Sequence, residues 1–265
     1  MIHFIVATPS EARPLIEFFK LKKKDSISNF IFFVNDDISL TISGIGKLNS
    51  AMSVAHTFCE FNKVKNNIWI NFGISGHINH NIGKIFLINK IIDKETNYKF
   101  FPHIIKNCNL NQHSCMTYSK ESFAYTDDLS DMEAFGFFMG AEKYSTRELI
   151  HTIKIISDNK DKKIDFLDKN KVYEIIKPRL KQLSEYKDGV FKIWKEFYLS
   201  KRIIDEKVKK ILKNKKLSFY QKKEFTKVLE IYFLNIDRNA GQVINFSDNL
   251  VEEIKSIKRK LKYEF

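Results

Sequence analysis

The sequence holds no apolar run that approaches the ~18 residues needed to span a membrane. Its start, MIHFIVATPSE, shows neither a basic segment nor a long apolar stretch behind one. No secretion signal is read there, no membrane partner is expected, and the expected location is cytoplasmic. Cysteine is scarce. Cys59, Cys108 and Cys115 show no metal-type spacing, and an odd number leaves one unpaired. Reduced thiols in a cytosolic protein are expected rather than a disulfide framework. A chain of 265 residues is still long enough to bury a sizeable core, as one large domain or two small ones.

Acidic excess is also missing, and the basic excess is uneven. Residues 1–158 hold 17 Lys+Arg and 16 Asp+Glu, whereas residues 159–265 hold 28 and 16. A near-neutral first part therefore meets a basic second part just after Asn159, a candidate boundary.

Along the first part, strand and helix patterns alternate. Residues 2–7, IHFIVA, suit a buried strand that stops at Thr8-Pro9-Ser10. Thr8 or Ser10 caps the following helix, with Glu11 in its first turn. Glu11 thus stands just past a strand end, where a carboxylate reaches a ligand or simply favours a helix N-terminus. Phe30–Val34 and Ile38–Ser43 read as a hairpin, and Gly44-Ile45-Gly46-Lys47 opens a helix from Leu48 to Phe61. This GxGK is no phosphate-binding loop, because Leu48 stands where a Ser or Thr is needed. Asn67–Asn71 reads as a strand and Phe72–Gly76 as the turn ending it, where small residues such as Ser75 and Gly76 either let a sugar or base approach the backbone or simply make a tight β–α connection. His77 and His80 lack a local Cys or carboxylate, so no metal is assigned. Lys84–Ile92, Tyr98–His103 and Met116–Phe123 are further strand candidates. Phe123 serves either to stack on a base or to fill the core.

The stretch from Thr126 to Asn159 gathers the chemistry. Asp131-Met132-Glu133 starts an apolar helix, and the β-branched run Thr152–Ile156 ends in Ser157-Asp158-Asn159. A strand that stops on an acid sets that carboxylate at a sheet rim, where α/β proteins keep ligands. Glu133 and Asp158 can then face one pocket. Each motif also has an ordinary reading, acids in a helix's first turn and a polar turn. The alternation argues for an α/β domain with a mixed or mostly parallel sheet.

Five pieces occur in an order that resembles the nucleoside phosphorylase/nucleosidase superfamily: a strand followed by ATPSEARPL, then SGIGKLNSA, NFGISG with IGKIFLINKII, SDMEAFGFF, and IKIISDN. The branch most resembled is the methylthioadenosine/S-adenosylhomocysteine nucleosidases. The resemblance covers about residues 1–160, or to 186 if Lys171–Tyr186 is the closing helix. It implies a three-layer α/β domain with a central mixed sheet over 1–186, followed by an all-α extension over 187–265. It implies hydrolysis of the N-glycosidic bond of a purine nucleoside or 5′-thionucleoside, with no cofactor and commonly as a homodimer. By motif, Glu11 would position or activate the water, Met132 and Glu133 would hold the ribose, and Asp158 would meet N7 of the purine. Ser75 and Gly76 would line sugar and base, Ser157 would support Asp158, and Phe123 would stack on the base. The phosphorylases' N-terminal Gly/Arg phosphate loop is absent, and only Arg13 and Arg147 occur before residue 160. Water is therefore favoured over phosphate, with phosphorolysis an alternative.

From Lys171 onward apolar residues recur at helical spacing and imply four or five amphipathic helices, with breaks at Pro178, Asp188-Gly189, 214–218 and 239–247. The clusters KKILKNKK and KSIKRKLK are either solvated lysine faces or a nucleic-acid footprint. The second alternative is thus a nucleic-acid-associated protein whose basic tail holds DNA or RNA. The tail's many aromatics favour its packing on the first domain.

Overall fold

The computed structural model describes the chain apart from residues 62, 64–65, 106–108, 123–124, 165–167, 214, 237–249 and 262–265. Phe123 and Cys108 lie outside the described residues. The chain divides into two compact units, Met1–Trp194 and Lys195–Phe265.

The larger unit is built on a mixed sheet of ten strands. Strand β1 (Ile2–Val6) lies between β4 (Ile38–Ile42) and β5 (Ile68–Gly76), parallel to both. β3 (Ile31–Val34) and β2 (Lys22–Lys24) extend one edge antiparallel. On the other side β5 pairs with both β10 (Ile150–Asp158) and β9 (Leu129–Asp131). β10 continues to β6 (Ile85–Asp93), β6 to β8 (Asn111–Thr117), and β8 to β9, so these five strands close a ring. β7 (Lys99–Phe100) adds to β6.

Strand alternation supplies both outer layers. Ile2, Phe4, Val6, Ile68, Ile70 and Phe72 face one core with Ala12 and Leu15 of α1 (Pro9–Phe19) and Val172 and Ile176 of α4 (Lys169–Ile176). Ile5, Trp69, Phe86 and Ile156 face the other, with Val54 of α2 (Lys47–Glu60) and Phe137 and Phe138 of α3 (Ala134–Ala141). This is the expected three-layer α/β arrangement with a mixed central sheet.

Three expectations are corrected. Phe72–Gly76 is not a turn; it continues β5, held by β10 on one side. The strand expected at Met116 begins at Asn111, because pairing with β6 recruits the polar residues 111–114. The break expected at Asp188-Gly189 is absent, and α5 runs from Leu180 to Leu212. A helical glycine costs about 1 kcal/mol relative to alanine, and the burial of Leu183, Tyr186 and Val190 in the first core outweighs it. Pro178 does interrupt, as a 3-10 turn from Lys177 to Arg179 between α4 and α5.

The smaller unit contains the end of α5, α6 (Phe219–Ile236) and α7 (Leu250–Leu261). Ile204, Val208, Leu212, Phe225, Val228, Leu229, Ile254 and Ile257 form its own core. Among the described residues no helix is long and apolar enough to cross a membrane.

Candidate active site

A cleft of ≈ 730 Å³ opens in the larger unit. Its lining includes Glu11, Ser75, Gly76, Met132, Glu133, Ser157 and Asp158. Residues from β5, β10, α1 and the start of α3 thus meet at one place, although up to 147 positions separate Glu11 from Asp158 in sequence.

Glu11 enters from the first turn of α1. Its Oε2 accepts from the Thr8 amide at 2.9 Å and the Thr8 hydroxyl at 2.8 Å, while the Glu11 amide donates to Thr8 Oγ1, a capping box. Oε1 accepts from the Ile74 amide at 2.9 Å. A carboxylate oxygen accepts about two hydrogen bonds. Oε2 is filled, and Oε1 keeps one lone pair for the cleft. Gly73 leaves room for this placement, since a Cβ there would stand 2.7 Å from Oε1 and displace the carboxylate.

Glu133 reaches back across the cleft to accept from the Gly46 amide at 2.9 Å. Gly46 has φ +106°, a conformation that L side chains rarely adopt, and this orients its N–H. The lysine of the GIGK motif turns elsewhere: Lys47 Nζ bonds Asp93 at 2.5 Å and also Glu95. Burial, reinforced by the charges of Asp131 and Glu11 and opposed by Lys154, raises the Glu133 pKa to about 7.

Asp158 ends β10. A register shift between Ile156 and Asp158 lets two consecutive residues, Ser157 and Asp158, both line the cleft. Ser157 Oγ donates to Asp158 Oδ1 at 2.5 Å, with the Ser75 carbonyl 3.2 Å away. Tyr125 donates its hydroxyl to Asp158 Oδ2 at 2.6 Å. Burial and the bond to Asp158 push the Tyr125 pKa up. Gly76 makes room for both groups, because a Cβ there would meet Tyr125 Cε1 at 2.8 Å and Asp158 Oδ2 at 3.0 Å. The buried Ser75 hydroxyl and that of Ser130 have no partner among the described residues, although both residues line the cleft.

Three residues of the site were missed in the sequence. Lys154 is 1% exposed and pairs with Asp131 Oδ2 at 2.7 Å, with Glu133 Oε2 3.9 Å away. Burial opposes both charges, yet each stabilises the other: the Asp131 pKa is lowered on balance and that of Lys154 raised. Asp131 also accepts from Thr117 Oγ1 at 2.7 Å and the Ala134 amide at 2.8 Å. A cation inside the apolar run IHTIKIIS was the available signal, since buried lysines need partners. Asp131 was taken only as part of a helix start. Tyr125 had no local signal.

The fold also gathers His77 and His80 with His113, whose ligand-type atoms lie within 4.8 Å of one another. His77 Nδ1 accepts from the Asn79 and His80 amides at 3.0 Å, so Nε2 carries the proton toward the Asp127 carbonyl at 3.1 Å. Both His77 nitrogens are engaged, and two imidazoles make a thin donor set for a metal.

No protein-family model and no curated protein matches the sequence. Solved structures do match in fold. A 5′-methylthioadenosine nucleosidase of Arabidopsis thaliana aligns at 15% identity and TM-score 0.59, covering 71% of this chain and 95% of that one. Futalosine hydrolase of Helicobacter pylori gives 14%, 0.58, 71% and 97%. A nucleosidase variant from Chlamydia trachomatis gives 21%, 0.52, 74% and 98%. The chain therefore shares its fold with 5′-methylthioadenosine and MTA/SAH nucleosidases and with futalosine hydrolase.

Proposed function

We propose that this chain hydrolyses the N-glycosidic bond of a purine nucleoside or 5′-thionucleoside, with water as nucleophile. One observation carries the reading: the cleft lining has five acidic side chains, Glu11, Glu121, Asp131, Glu133 and Asp158, and one lysine, Lys120. The buried Lys154 nearby is engaged by Asp131. Such a site repels a phosphate dianion and suits a ribosyl group that gains positive charge as its bond to the base breaks.

The roles divide by environment. Glu11 keeps one lone pair that takes a proton from water. Glu133 accepts from a ribose hydroxyl and, ionised, stands near the developing cation. Asp158 hydrogen-bonds the departing purine at N7, supported by Ser157. Ser75, Gly76 and Met132 line sugar and base. For the base, Tyr125 must give up its bond to Asp158 or share it. Assembly as a homodimer is part of the same proposal, supported by Ile45 at the cleft and by Leu48, 78% exposed on α2. Light scattering tests it, and a monomer mass removes the dimer.

The test of activity is release of a free purine from methylthioadenosine, adenosylhomocysteine, adenosine or inosine, with and without phosphate. Release that needs no phosphate is expected, and intact substrates in every case sink the reading. Asp158→Asn keeps the shape and removes the acid. The rate is expected to fall ~10²-fold or more, in line with general acid catalysis; an undiminished rate removes Asp158 from the mechanism.

A further inference from the structure

The smaller unit carries a surface that the cleft chemistry does not use. Between residues 207 and 227 the sequence holds nine lysines and one acid, Glu224. That acid is ion-paired to Lys258, so its charge is offset. In the middle of the stretch stand two aromatic residues that belong to no core: Phe219 is 86% and Tyr220 76% exposed. Lys216 precedes them and Lys222 and Lys223 follow, all exposed.

Local structure fixes this arrangement. Ser218 caps α6 reciprocally with Gln221: the Gln221 amide donates to Ser218 Oγ at 3.2 Å and the Ser218 amide to Gln221 Oε1 at 2.9 Å. The two rings therefore sit in the first turn of a capped helix, at its positive end. The core face of α6 is Phe225, Val228 and Leu229. From Phe219 the positions at i+3 and i+4 are Lys222 and Lys223, so the outward face runs from rings to lysines. With so little of their surface buried, two large rings in water lose most of the hydrophobic gain that usually retains them.

We propose that this face binds single-stranded nucleic acid. Lysines track the phosphates, and Phe219 and Tyr220 offer flat faces on which unpaired bases stack, a combination that tolerates any sequence. Duplex binding would need the lysines alone. An anionic bilayer fits less well: an interfacial helix needs a continuous apolar face, and here the rings give way to charge within one turn. This inference is independent of the reading of the cleft.

The experiment uses the full chain and a fluorescein-labelled oligothymidylate of ~20 nucleotides, longer than the site sizes of about 4–16 typical of such surfaces. Wild type is expected to bind it more tightly than a duplex of equal length, with affinity falling as salt rises. Phe219→Ala with Tyr220→Ala should weaken binding at least about tenfold, the loss of base stacking, and leave the salt dependence unchanged. Lys222→Gln with Lys223→Gln should reduce the slope of log K against log salt by about 0.7 per lysine. Circular dichroism and melting of both variants should match wild type, because none of the four side chains is in a core. Tyr220→Trp provides a direct readout, as stacking should quench its emission when the oligonucleotide is added. Absence of binding at low salt, full binding by the double alanine variant, or capture by phosphatidylserine vesicles without capture of the oligonucleotide each overturns the proposal.

Discussion

At the residue scale, Lys154 is the hinge of the cleft's charge balance. It is a cation embedded in a central strand, and it keeps Asp131 ionised while Glu133, farther away, is left half-relieved. The consequence is a pH-dependent stability. Glu133 titrates near 4.5 when unfolded and at about 7 when folded. Between those values the folded chain holds a proton that the unfolded chain has released, so stability falls as pH rises through this window. Urea midpoints of wild type and Glu133→Gln between pH 4.5 and 8 should show this. Wild type is expected to lose stability relative to the glutamine variant as pH rises; parallel curves would mean that Glu133 is not strained by burial. The sequence exposed the carboxylates, because each stands at the end of a strand or the start of a helix. It concealed Lys154 and Tyr125, whose meaning depends on neighbours 23 and 33 residues away along the chain.

At the element scale, α2 and α3 approach each other closely at Gly136. A Cβ on Gly136 would stand 1.9 Å from the Lys47 carbonyl oxygen, whereas one on Gly140 would make only a tight contact, 3.2 Å from the Ala51 carbonyl oxygen. The Gly136 clash is with backbone atoms of Lys47 and not with a flexible side chain. Gly136→Ala must push two helices apart, and overpacking of this kind costs about 3 kcal/mol or more. Since α2 begins at Lys47 and Glu133 bonds Gly46, the same shift should open the cleft. A melting temperature lowered by several degrees, together with weaker nucleoside binding, is expected; an unchanged melt would show that the helices are not this close. Elements whose signals are local were legible from sequence: the strand, cap and helix of residues 2–19, and the proline interruption before α5. Elements whose extent depends on pairing were not. β5 runs on through FGISG because β10 supplies partners, and α5 runs through Gly189 because Leu183, Tyr186 and Val190 around it are buried.

At the scale of the whole molecule, charge and packing divide the chain at different places. The basic composition begins after Asn159, yet Leu180, Leu183, Tyr186 and Val190 belong to the first core and Trp194 donates to the Asn66 carbonyl at 2.6 Å. The residues that complete the larger unit thus lie inside the basic region. A chain cut after residue 186 loses Val190, Phe191 and Trp194 from that core and should be less stable, and more prone to aggregate, than one cut after residue 194. Denaturation of the two fragments side by side decides this; equal stability would assign those three residues no part in the fold.

Glu11 closes the box that starts α1 and grips the Ile74 amide in β5, whatever reaction the cleft performs. Folding alone is therefore reason enough to keep it. In a lineage that abandoned the chemistry, Glu11 would persist long after Asp158 had drifted. Its survival in a relative is a record of ancestry, while activity is better read from Asp158, whose side chain caps no helix.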